Sequence, residues 1–289
     1  MEIVKAKTAG FCFGVKRAVD KVYDEIAREE QEKSGGKIYT FGPIIHNDEV
    51  IRDFEEKGVA VIRTLEELET LHEGVVIIRS HGVAKSVYQI IENHGMQLVD
   101  ATCPFVKKIH NIVEQASTKG EYIVIVGNPT HPEVEGIVGW VHGDGVVVVQ
   151  SVQEAYDFEA TYRQKISIVS QTTFNYNKFK EIVDIISKKS YDVSVLNTIC
   201  NATKVRQTEA SEIASRVDAM IVIGDKQSSN TQKLFEICKN ACDNTYYIQT
   251  LKDLNIDQLE SVSTVGITAG ASTPNNIIEE VQNNVRINF

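Results

Sequence analysis

The stretch Gly10-Phe11-Cys12-Phe13-Gly14-Val15-Lys16-Arg17 joins an apolar, strand-like segment at residues 1–7 to a helical pattern that begins near Val15. The same junction of strand, cysteine and helix occurs twice more, at Thr102-Cys103-Pro104-Phe105-Val106-Lys107 and at Ile199-Cys200-Asn201-Ala202-Thr203-Lys204. In all three stretches a lysine follows the cysteine by four residues. A motif that returns at the same kind of junction predicts a repeated structural unit.

The position of these cysteines has a chemical consequence. A cysteine at the start of a helix lies beside unpaired backbone N–H groups and the positive end of the helix dipole. Both favour the thiolate, which binds metals or attacks electrophiles. Lys16, Lys107 and Lys204 lie about one turn further on, where a cation is unfavourable unless an anionic group is close to the helix start. Three thiolates around one metal centre would be such a group.

The composition indicates a globular protein and excludes several functions. The 289 residues are 42% apolar, and 30 basic against 40 acidic residues give a net charge of -10. There is no Lys/Arg-rich run with interleaved aromatic residues, so we expect no nucleic-acid partner. No apolar run approaches the roughly 20 residues of a membrane span and the start does not resemble a secretion signal, so we expect a cytoplasmic protein with no membrane partner. Five cysteines without an export signal favour reduced, metal-binding or catalytic thiols over disulfides.

The rest of the chain repeats one pattern three times. In each copy a first strand ends at a glycine, and the fourth residue after that glycine is polar. These polar residues are His46, His131 and Ser228. A second strand leads through a hydroxyl residue, which we expect to cap a short acidic helix, and a third strand ends in a polar tip. The tips are Ser80-His81-Gly82, Gln171-Thr172-Thr173 and Gly270-Ala271-Ser272.

A fourth strand leads into Cys103 in the first copy and into Cys200 in the second. The third copy has none, and the strand before Cys12 can supply it. The sequence therefore predicts an α/β fold of three pseudo-threefold-related units with small, mostly parallel sheets around a central cavity. The predicted boundaries are 1–13 for the N-terminal strand that closes the third unit, 14–102 for the first unit, 103–199 for the second and 200–289 for the third. We expect no further fused domain.

Parallel sheets bind ligands beyond the carboxyl ends of their strands, where all of these polar tips lie. If the three units face one another, the tips and the cysteines line one cavity. The expected lining residues are Cys12, Cys103, Cys200, His46, His81, His131, Glu133, Thr172, Ser228, Asn230 and Ser272. A pocket for an oxyanion or a phosphate is expected from polar residues at helix starts: His46, His81, His131, Ser228, Ser229, Asn230 and Ser272. An ordinary helix cap explains any single Ser or Asn, but it explains the whole set poorly.

Each motif also has a simpler interpretation. A lone free cysteine is usually a small buried hydrophobe, and three at equivalent positions favour shared ligation or catalysis instead. Cys238 and Cys242 share a helical face with Leu234 and are expected to pack in a core. His72, His94, His110 and His142 are expected to be surface or structural residues. The histidine-x-glutamate at His131 and Glu133 is reminiscent of zinc deaminases, but the Pro-Cys-x-x-Cys partner motif is absent.

At these residues the chain resembles the 4-hydroxy-3-methylbut-2-enyl diphosphate reductases of the non-mevalonate isoprenoid pathway, nearly from end to end. The motifs that carry the resemblance occur in the family's order. They are Gly-Phe-Cys-x-Gly-Val at 10–15, Ile-His-Asn at 45–47, Ser-His-Gly-Val at 80–83, Asp-Ala-Thr-Cys-Pro at 100–104, His-Pro-Glu-Val-Glu-Gly at 131–136, Gln-Thr-Thr at 171–173, Ser-Ser-Asn at 228–230 and Thr-Ala-Gly-Ala-Ser at 268–272.

The resemblance implies that Cys12, Cys103 and Cys200 hold one 4Fe-4S cluster in the central cavity, with one iron open to substrate. It implies that Glu133 donates the proton that releases the substrate hydroxyl as water, and that Thr172 completes the relay. His131 would act beside them. The residues expected to bind the diphosphate substrate are His46, His81, His131, Thr172, Ser228, Ser229, Asn230 and Ser272. Two electrons, supplied by a one-electron donor protein such as ferredoxin or flavodoxin, would give isopentenyl and dimethylallyl diphosphate.

Two rival functions stay open at this point. A non-catalytic iron-sulfur sensor or small-anion binding protein would use the same cage but would not need the acid Glu133. A zinc hydrolase would contain stoichiometric zinc and no coloured cluster.

Overall fold

The computed structural model describes residues 1–33, 35–161 and 164–288, and the strands of these ranges form three sheets of the same kind. The strands are β1 (Glu2–Lys5), β2 (Ile38–Phe41), β3 (Val59–Ile62), β4 (Val75–Ile78), β5 (Gln97–Asp100), β6 (Tyr122–Val126), β7 (Val146–Val149), β8 (Lys165–Ser170), β9 (Asp192–Val195), β10 (Ala219–Ile223), β11 (Thr245–Ile248) and β12 (Thr264–Ala269). Every sheet has four strands, and every neighbouring pair is parallel.

Helices follow the strands throughout. They are α1 (Phe13–Glu32), α2 (Asp48–Glu56), α3 (Leu65–Glu69), α4 (Lys85–Asn93), α5 (Pro104–Thr118), α6 (Pro132–Val138), α7 (Val152–Asp157), α8 (Tyr176–Ser187), α9 (Asn201–Ala214), α10 (Ser229–Ala241) and α11 (Asn275–Asn288). Two 3₁₀ helices occupy Leu251–Asp253 and Ile256–Leu259. None of the helices in the described ranges is long and apolar enough to cross a membrane.

The three sheets share one strand order. The first sheet is β3-β2-β4-β5, the second is β7-β6-β8-β9, and the third is β11-β10-β12-β1. In the third sheet the N-terminal strand occupies the edge that a fourth strand occupies in the other two, with Glu2 opposite Thr264 and Lys5 opposite Ile267. The predicted fold class, three similar α/β units with small parallel sheets, is confirmed.

By compactness, the described chain divides into two units. One contains the third sheet and comprises Met1–Lys16, His46–Arg52 and the chain from Asn201 onward. The other contains the first and second sheets and comprises Arg17–Ile45 and Asp53–Cys200. The three-unit boundaries derived from the sequence stay a prediction, and their last residue, Phe289, lies outside the described residues.

The central strands are apolar along their whole length because both faces of each sheet are covered. All five residues of β10 are buried, as are the last four of β6. The short acidic helices begin as expected at hydroxyl caps: Thr64 Oγ1 accepts the Glu67 N–H, and Ser151 Oγ accepts the Glu154 N–H. In the third copy the equivalent helix is a 3₁₀ turn that follows Thr250.

Cys238, Cys242 and His110, which lie outside the repeated motif, pack in the protein as predicted, while His72 and His142 lie at the surface. Cys238 and Cys242 are buried with Leu234 and Met220, and burial raises the pKa of Cys238 to about 12. His110 is buried, its ring stacks on Trp140 at 5.0 Å, and burial lowers the pKa of His110 to about 4. These groups are structural.

Candidate active site

The three repeated cysteines are held by the same backbone hydrogen bond. In each copy the cysteine N–H donates to the carbonyl oxygen of the second residue past the third strand. The pairs are Cys103 with Ser80 at 3.0 Å, Cys200 with Thr172 at 3.0 Å, and Cys12 with Ala271 at 3.3 Å. The repeat is therefore visible at the level of single hydrogen bonds.

A helix begins directly after each cysteine, as predicted: α1 after Cys12, α5 after Cys103 and α9 after Cys200. The carbonyls of Cys12 and Cys103 accept the first hydrogen bond of their helices. The Lys16 N–H donates to Cys12 O at 2.9 Å, and the Lys107 N–H donates to Cys103 O at 3.0 Å. None of the three cysteines forms a disulfide in the described part of the chain, and all three are half-buried. Half-buried thiols at helix starts are suited to a thiolate-bound metal centre, and three such donors fit an iron-sulfur cluster.

Lys107 has an anionic partner that the sequence did not predict. Its Nζ lies 2.5 Å from Asp100 Oδ2, at the end of β5. Burial would raise the pKa of Asp100, but hydrogen bonds from Lys107 and Thr102 outweigh it and hold that pKa below its usual value. The charge of Lys107 therefore does not require a metal centre, and this lysine no longer supports that interpretation.

Glu133 and Thr172 form a buried pair at the carboxyl end of the second sheet. Glu133 lies in the first turn of α6, and Thr172 follows β8. Thr172 donates its N–H to Glu133 Oε1 at 2.5 Å and its hydroxyl to Glu133 Oε2 at 2.7 Å. Glu133 is 2% exposed. Burial raises the pKa of Glu133 to about 7, although the bonds from Thr172 oppose that rise. The carboxyl can therefore hold a proton near neutral pH and give it up.

His131 connects this pair to the β6–α6 turn. It is buried, it caps α6, and its Nδ1 accepts the Glu133 N–H at 3.1 Å. A neutral imidazole that accepts at Nδ1 carries its proton on Nε2, so this nitrogen is a donor for a ligand. The His81 ring lies edge-on to it, with 5.6 Å between ring centroids. Two imidazoles and the acid are thus assembled at neighbouring strand ends of one compact unit.

The other compact unit has buried polar atoms at the carboxyl end of the third sheet. Ser228 caps α10, where its Oγ accepts the Thr231 N–H at 3.3 Å. Asn230 and Ser272 are 4% and 6% exposed. Asn230 Nδ2 and Ser272 Oγ have no hydrogen-bond partner among the residues that the structure describes. Buried polar atoms of this kind normally find a partner, so these two are suited to a polar ligand.

The remaining predicted ligand residues lie at helix starts. His46 is half-buried in the turn between β2 and α2, beside Asn47, whose Oδ1 accepts the Val50 N–H at 3.1 Å. Ser229 is the first residue of α10. The structure thus brings Glu133, Thr172, His81 and His131 together in one unit, while the convergence of both units' residues on one cavity stays a prediction.

Sequence reasoning missed Arg206 and Glu209 on α9, which contact the loop before Cys12. A charged residue on a helix is usually interpreted as solvent-facing. The signal that could have found Arg206 is its register, because Ala210 and Ile213 follow it at the spacing of one helical face and both are buried.

The fold and these side chains define a class: an α/β protein with a cysteine repeated at three helix starts and a buried acid at the ends of parallel strands. The chain belongs to the LytB protein family, whose model matches residues 3–286. The family membership predicted from the motifs is thereby confirmed.

Relatives that match over nearly the full chain carry one name. The 4-hydroxy-3-methylbut-2-enyl diphosphate reductase of Caldanaerobacter subterraneus subsp. tengcongensis is 47% identical over 97% of this chain and 95% of its own. That of Clostridioides difficile is 44% identical over 97% of this chain and 98% of its own. The prediction that this chain is an enzyme of that reductase class is confirmed.

Two solved structures agree with this assignment. One, of the (E)-4-hydroxy-3-methyl-but-2-enyl diphosphate reductase described as the terminal enzyme of the non-mevalonate pathway, is 41% identical, with a TM-score of 0.68 over 99% of this chain and 100% of that one. The other, the E-1-hydroxy-2-methyl-but-2-enyl-4-diphosphate reductase of Plasmodium falciparum, is 28% identical, with a TM-score of 0.87 over 99% of this chain and 87% of that one.

Proposed function

We propose that this chain reduces (E)-4-hydroxy-3-methylbut-2-enyl diphosphate to isopentenyl and dimethylallyl diphosphate. The reaction consumes two electrons and two protons. The bond from carbon to the C4 hydroxyl breaks, one proton leaves with that oxygen as water, and the other adds to the carbon skeleton. The observation that carries the proposal is the buried Glu133 carboxyl, paired with Thr172 and with a pKa of about 7, in a chain of this reductase family.

Cys12, Cys103 and Cys200 would hold a 4Fe-4S cluster. Three equivalent, half-buried cysteines at helix starts, none of them in a disulfide within the described residues, support this set, because thiolates are the usual ligands of such clusters and three of them leave one iron without a protein ligand. When bound, the cluster supplies a Lewis-acid position for the substrate hydroxyl and a route for electrons. A one-electron donor protein, ferredoxin or flavodoxin, would deliver those electrons.

Glu133 would give its proton to the leaving hydroxyl oxygen. A hydroxide is a poor leaving group, so general acid catalysis is needed at this step. The Thr172 hydroxyl, 2.7 Å from Glu133 Oε2, can pass a proton between substrate and carboxyl. His131 holds the Glu133 backbone through Nδ1 and would present its Nε2 proton to the substrate.

The diphosphate would be bound by neutral donors. The proposed donors are His46, His81, His131, Thr172, Ser228, Ser229, Asn230 and Ser272. Support comes from Asn230 Nδ2 and Ser272 Oγ, which are buried and lack a partner within the described ranges. Hydrogen bonds to an anion are about twice as strong as those between neutral groups, so such donors suit a diphosphate. The cytoplasmic location stays a prediction, and a reducing compartment suits cysteines that form no disulfide in the described part of the chain.

The first test is anaerobic purification, or reconstitution with iron and sulfide, followed by metal analysis and turnover with the diphosphate substrate. We expect about four irons per chain, a broad absorption band near roughly 400 nm, and release of both products. Cys103→Ser should lose most of the cluster and the turnover. Cys238→Ala, which removes a packed thiol instead, should keep both.

Other results would select the rivals. A colourless protein with one zinc per chain would overturn the proposal in favour of a hydrolase. A protein that holds the cluster and diphosphate but releases no product would indicate a sensor or anion-binding protein.

A further inference from the structure

The loop that carries Cys12 is held by the side chains of α9. Glu209 accepts two backbone N–H groups of this loop, from Lys7 at 2.8 Å and from Thr8 at 2.9 Å, and also the Thr8 hydroxyl at 2.5 Å. Burial would raise the pKa of Glu209, but these hydrogen bonds outweigh it and keep that pKa below its usual value. The start of the loop is therefore fixed to α9 by a charged acceptor.

Arg206, one turn earlier on α9, holds the other end of the loop. Its Nη2 donates to Gly10 O at 2.9 Å and its Nη1 donates to Ala269 O at 2.7 Å. The side chain is buried, with 3% of the residue exposed. Gly10 precedes Cys12 by two residues, and Ala269 precedes Ser272 by three. One guanidinium thus connects the cysteine loop to the strand end that leads to Ser272.

The loop also lies directly against the β12–α11 turn. The Cys12 N–H donates to Ala271 O at 3.3 Å. Gly10 has a φ of +100°, and a Cβ there would lie 3.2 Å from Ile278 Cδ1 and 3.6 Å from Thr273 O. Glycine adopts this backbone conformation without strain and leaves room for the close approach. The Cys12 loop and the β12–α11 turn therefore contact each other directly, and the Arg206 side chain is hydrogen-bonded to the loop and to the end of β12.

The loop before Cys12 needs such a support more than its equivalents do. Cys103 follows the end of β5 at Asp100 by three residues, whereas Cys12 follows the end of β1 at Lys5 by seven. A longer loop has more conformational freedom to lose. The shorter loop also has an arginine contact, from Arg17 Nη1 to Thr102 O at 3.0 Å. Arginine suits this task because its planar fork can donate to two acceptors at once, which lysine cannot do in the same geometry.

We propose that Arg206 is a positioning residue that sets Cys12 and Ser272 relative to each other through the carbonyls of Gly10 and Ala269. The inference rests on the proposed function only in assigning ligands to Cys12 and Ser272. Loss of the guanidinium would release the Cys12 loop and leave the other cysteine loops in place.

The test uses the full chain without its cluster and measures the alkylation rate of each thiol by mass spectrometry. Arg206→Met should raise the rate at Cys12 about tenfold, which corresponds to about 1.4 kcal/mol of local opening, with Cys103 unchanged. Arg206→Lys should give an intermediate rate. Arg216→Met, the same change at an exposed arginine just past α9, is the matched control. Added guanidinium ion should slow Cys12 alkylation in Arg206→Gly.

Two results would overturn the inference. One is a Cys12 rate in Arg206→Met equal to that of Arg216→Met. The other is an equal rise at Cys12, Cys103 and Cys200, which would indicate general loosening. If Arg206→Met does not fold, the Cys12 alkylation rate of Arg206→Lys, which keeps the charge, is compared with that of Arg216→Met instead. The alkylation measurement needs no cluster. A chain that never binds iron would therefore refute the proposed function and leave this inference standing.

Discussion

The carboxyl ends of the second and third sheets have equivalent positions with opposite polar chemistry. Thr172 and Ala271 are both the second residue past the third strand, and both accept a cysteine N–H. Glu133 and Asn230 both lie six residues after the glycine that ends the first strand. At the second sheet, Thr172 donates one hydrogen bond to each carboxylate oxygen of Glu133. At the third, the alanine side chain offers no polar atom, and Asn230 Nδ2 is unpartnered within the described part of the chain.

The two sheet ends differ in whether the protein itself satisfies their buried polar groups, and we propose that this difference corresponds to two tasks. The second sheet has a preassembled acid whose hydrogen bonds are satisfied in the protein itself, so its geometry exists before substrate arrives. The third sheet has buried donors, Asn230 and Ser272, that the described protein does not satisfy. An unsatisfied buried donor costs about 1–3 kcal/mol, and a ligand that accepts its hydrogen bond recovers that free energy. Under the proposed function, the second-sheet end would carry the chemistry and the third-sheet end would carry the binding.

Removing the acid should have the largest effect. Glu133→Gln keeps the shape of the side chain but has no acidic proton, so we expect turnover to fall about 10²- to 10⁴-fold, with iron content unchanged. In the unmodified enzyme, turnover should fall as the pH rises through about 7, because the acid loses its proton there. The measurement is the steady-state rate with a chemical reductant from pH 6 to 9.

The matched control for this change is Glu135→Gln, at an exposed acid on the same helix, α6. It should keep both the rate and its pH dependence. Unchanged turnover in Glu133→Gln would remove the second sheet's acid from the mechanism and leave both strand ends as binding surfaces.

The fold could be predicted from the sequence because its signals are local and repeated. Each strand is a short apolar run, and a cysteine, a histidine or a hydroxyl residue precedes α5, α6 and α10 at the helix start. The missing fourth strand of the third copy pointed to β1, and the sheet has it there. The third short helix is a 3₁₀ turn instead of an α-helix, since only Leu251–Asp253 lies between Thr250 and the extended Leu254.

The residue types of the candidate site could be predicted from the sequence, but the hydrogen bonds and ion pairs between them could not. Glu133 was identified by its motif, but its pairing with Thr172 and its raised pKa depend on burial and tertiary contacts. The Lys107–Asp100 ion pair was missed for the same reason. Arg206 was missed because it bonds backbone carbonyls far along the chain, and carbonyls leave no signature in a sequence.

The next largest effect should come from the third sheet. Ser272→Ala removes a buried hydroxyl that has no partner in the described residues, so the free energy of unfolding should stay the same or rise. Affinity for inorganic diphosphate should fall about 10- to 100-fold, the loss of one hydrogen bond to a charged group. Calorimetric titration and urea unfolding measure the two quantities.

Ser167→Ala in the second sheet provides the contrast. Ser167 Oγ donates to Glu121 Oε2 at 2.6 Å, so this change should lower the stability and leave diphosphate affinity unaltered. If Ser272→Ala instead destabilises the protein and binds diphosphate normally, the third sheet's donors are structural and the division of tasks fails.

The smallest effect on the pH profile should come from Thr172→Val, which makes the second sheet more like the third; because it also removes the proposed hydroxyl relay, turnover should fall as well. It keeps the N–H bond to Glu133 Oε1 and loses the hydroxyl bond to Oε2. That hydroxyl stabilises the carboxylate, so its loss should raise the pKa of Glu133 further and move the alkaline limb of the rate profile to higher pH. The stability loss should be about 1 kcal/mol at pH 6, where the carboxyl is mostly protonated, and larger at pH 8 because a bond to a charge is then missing. Thr172→Ser restores the hydroxyl and should recover both values. A rate profile that does not move in Thr172→Val would mean that the acid's pKa is set by burial alone, and the hydroxyl would then differ little from the alanine side chain at position 271.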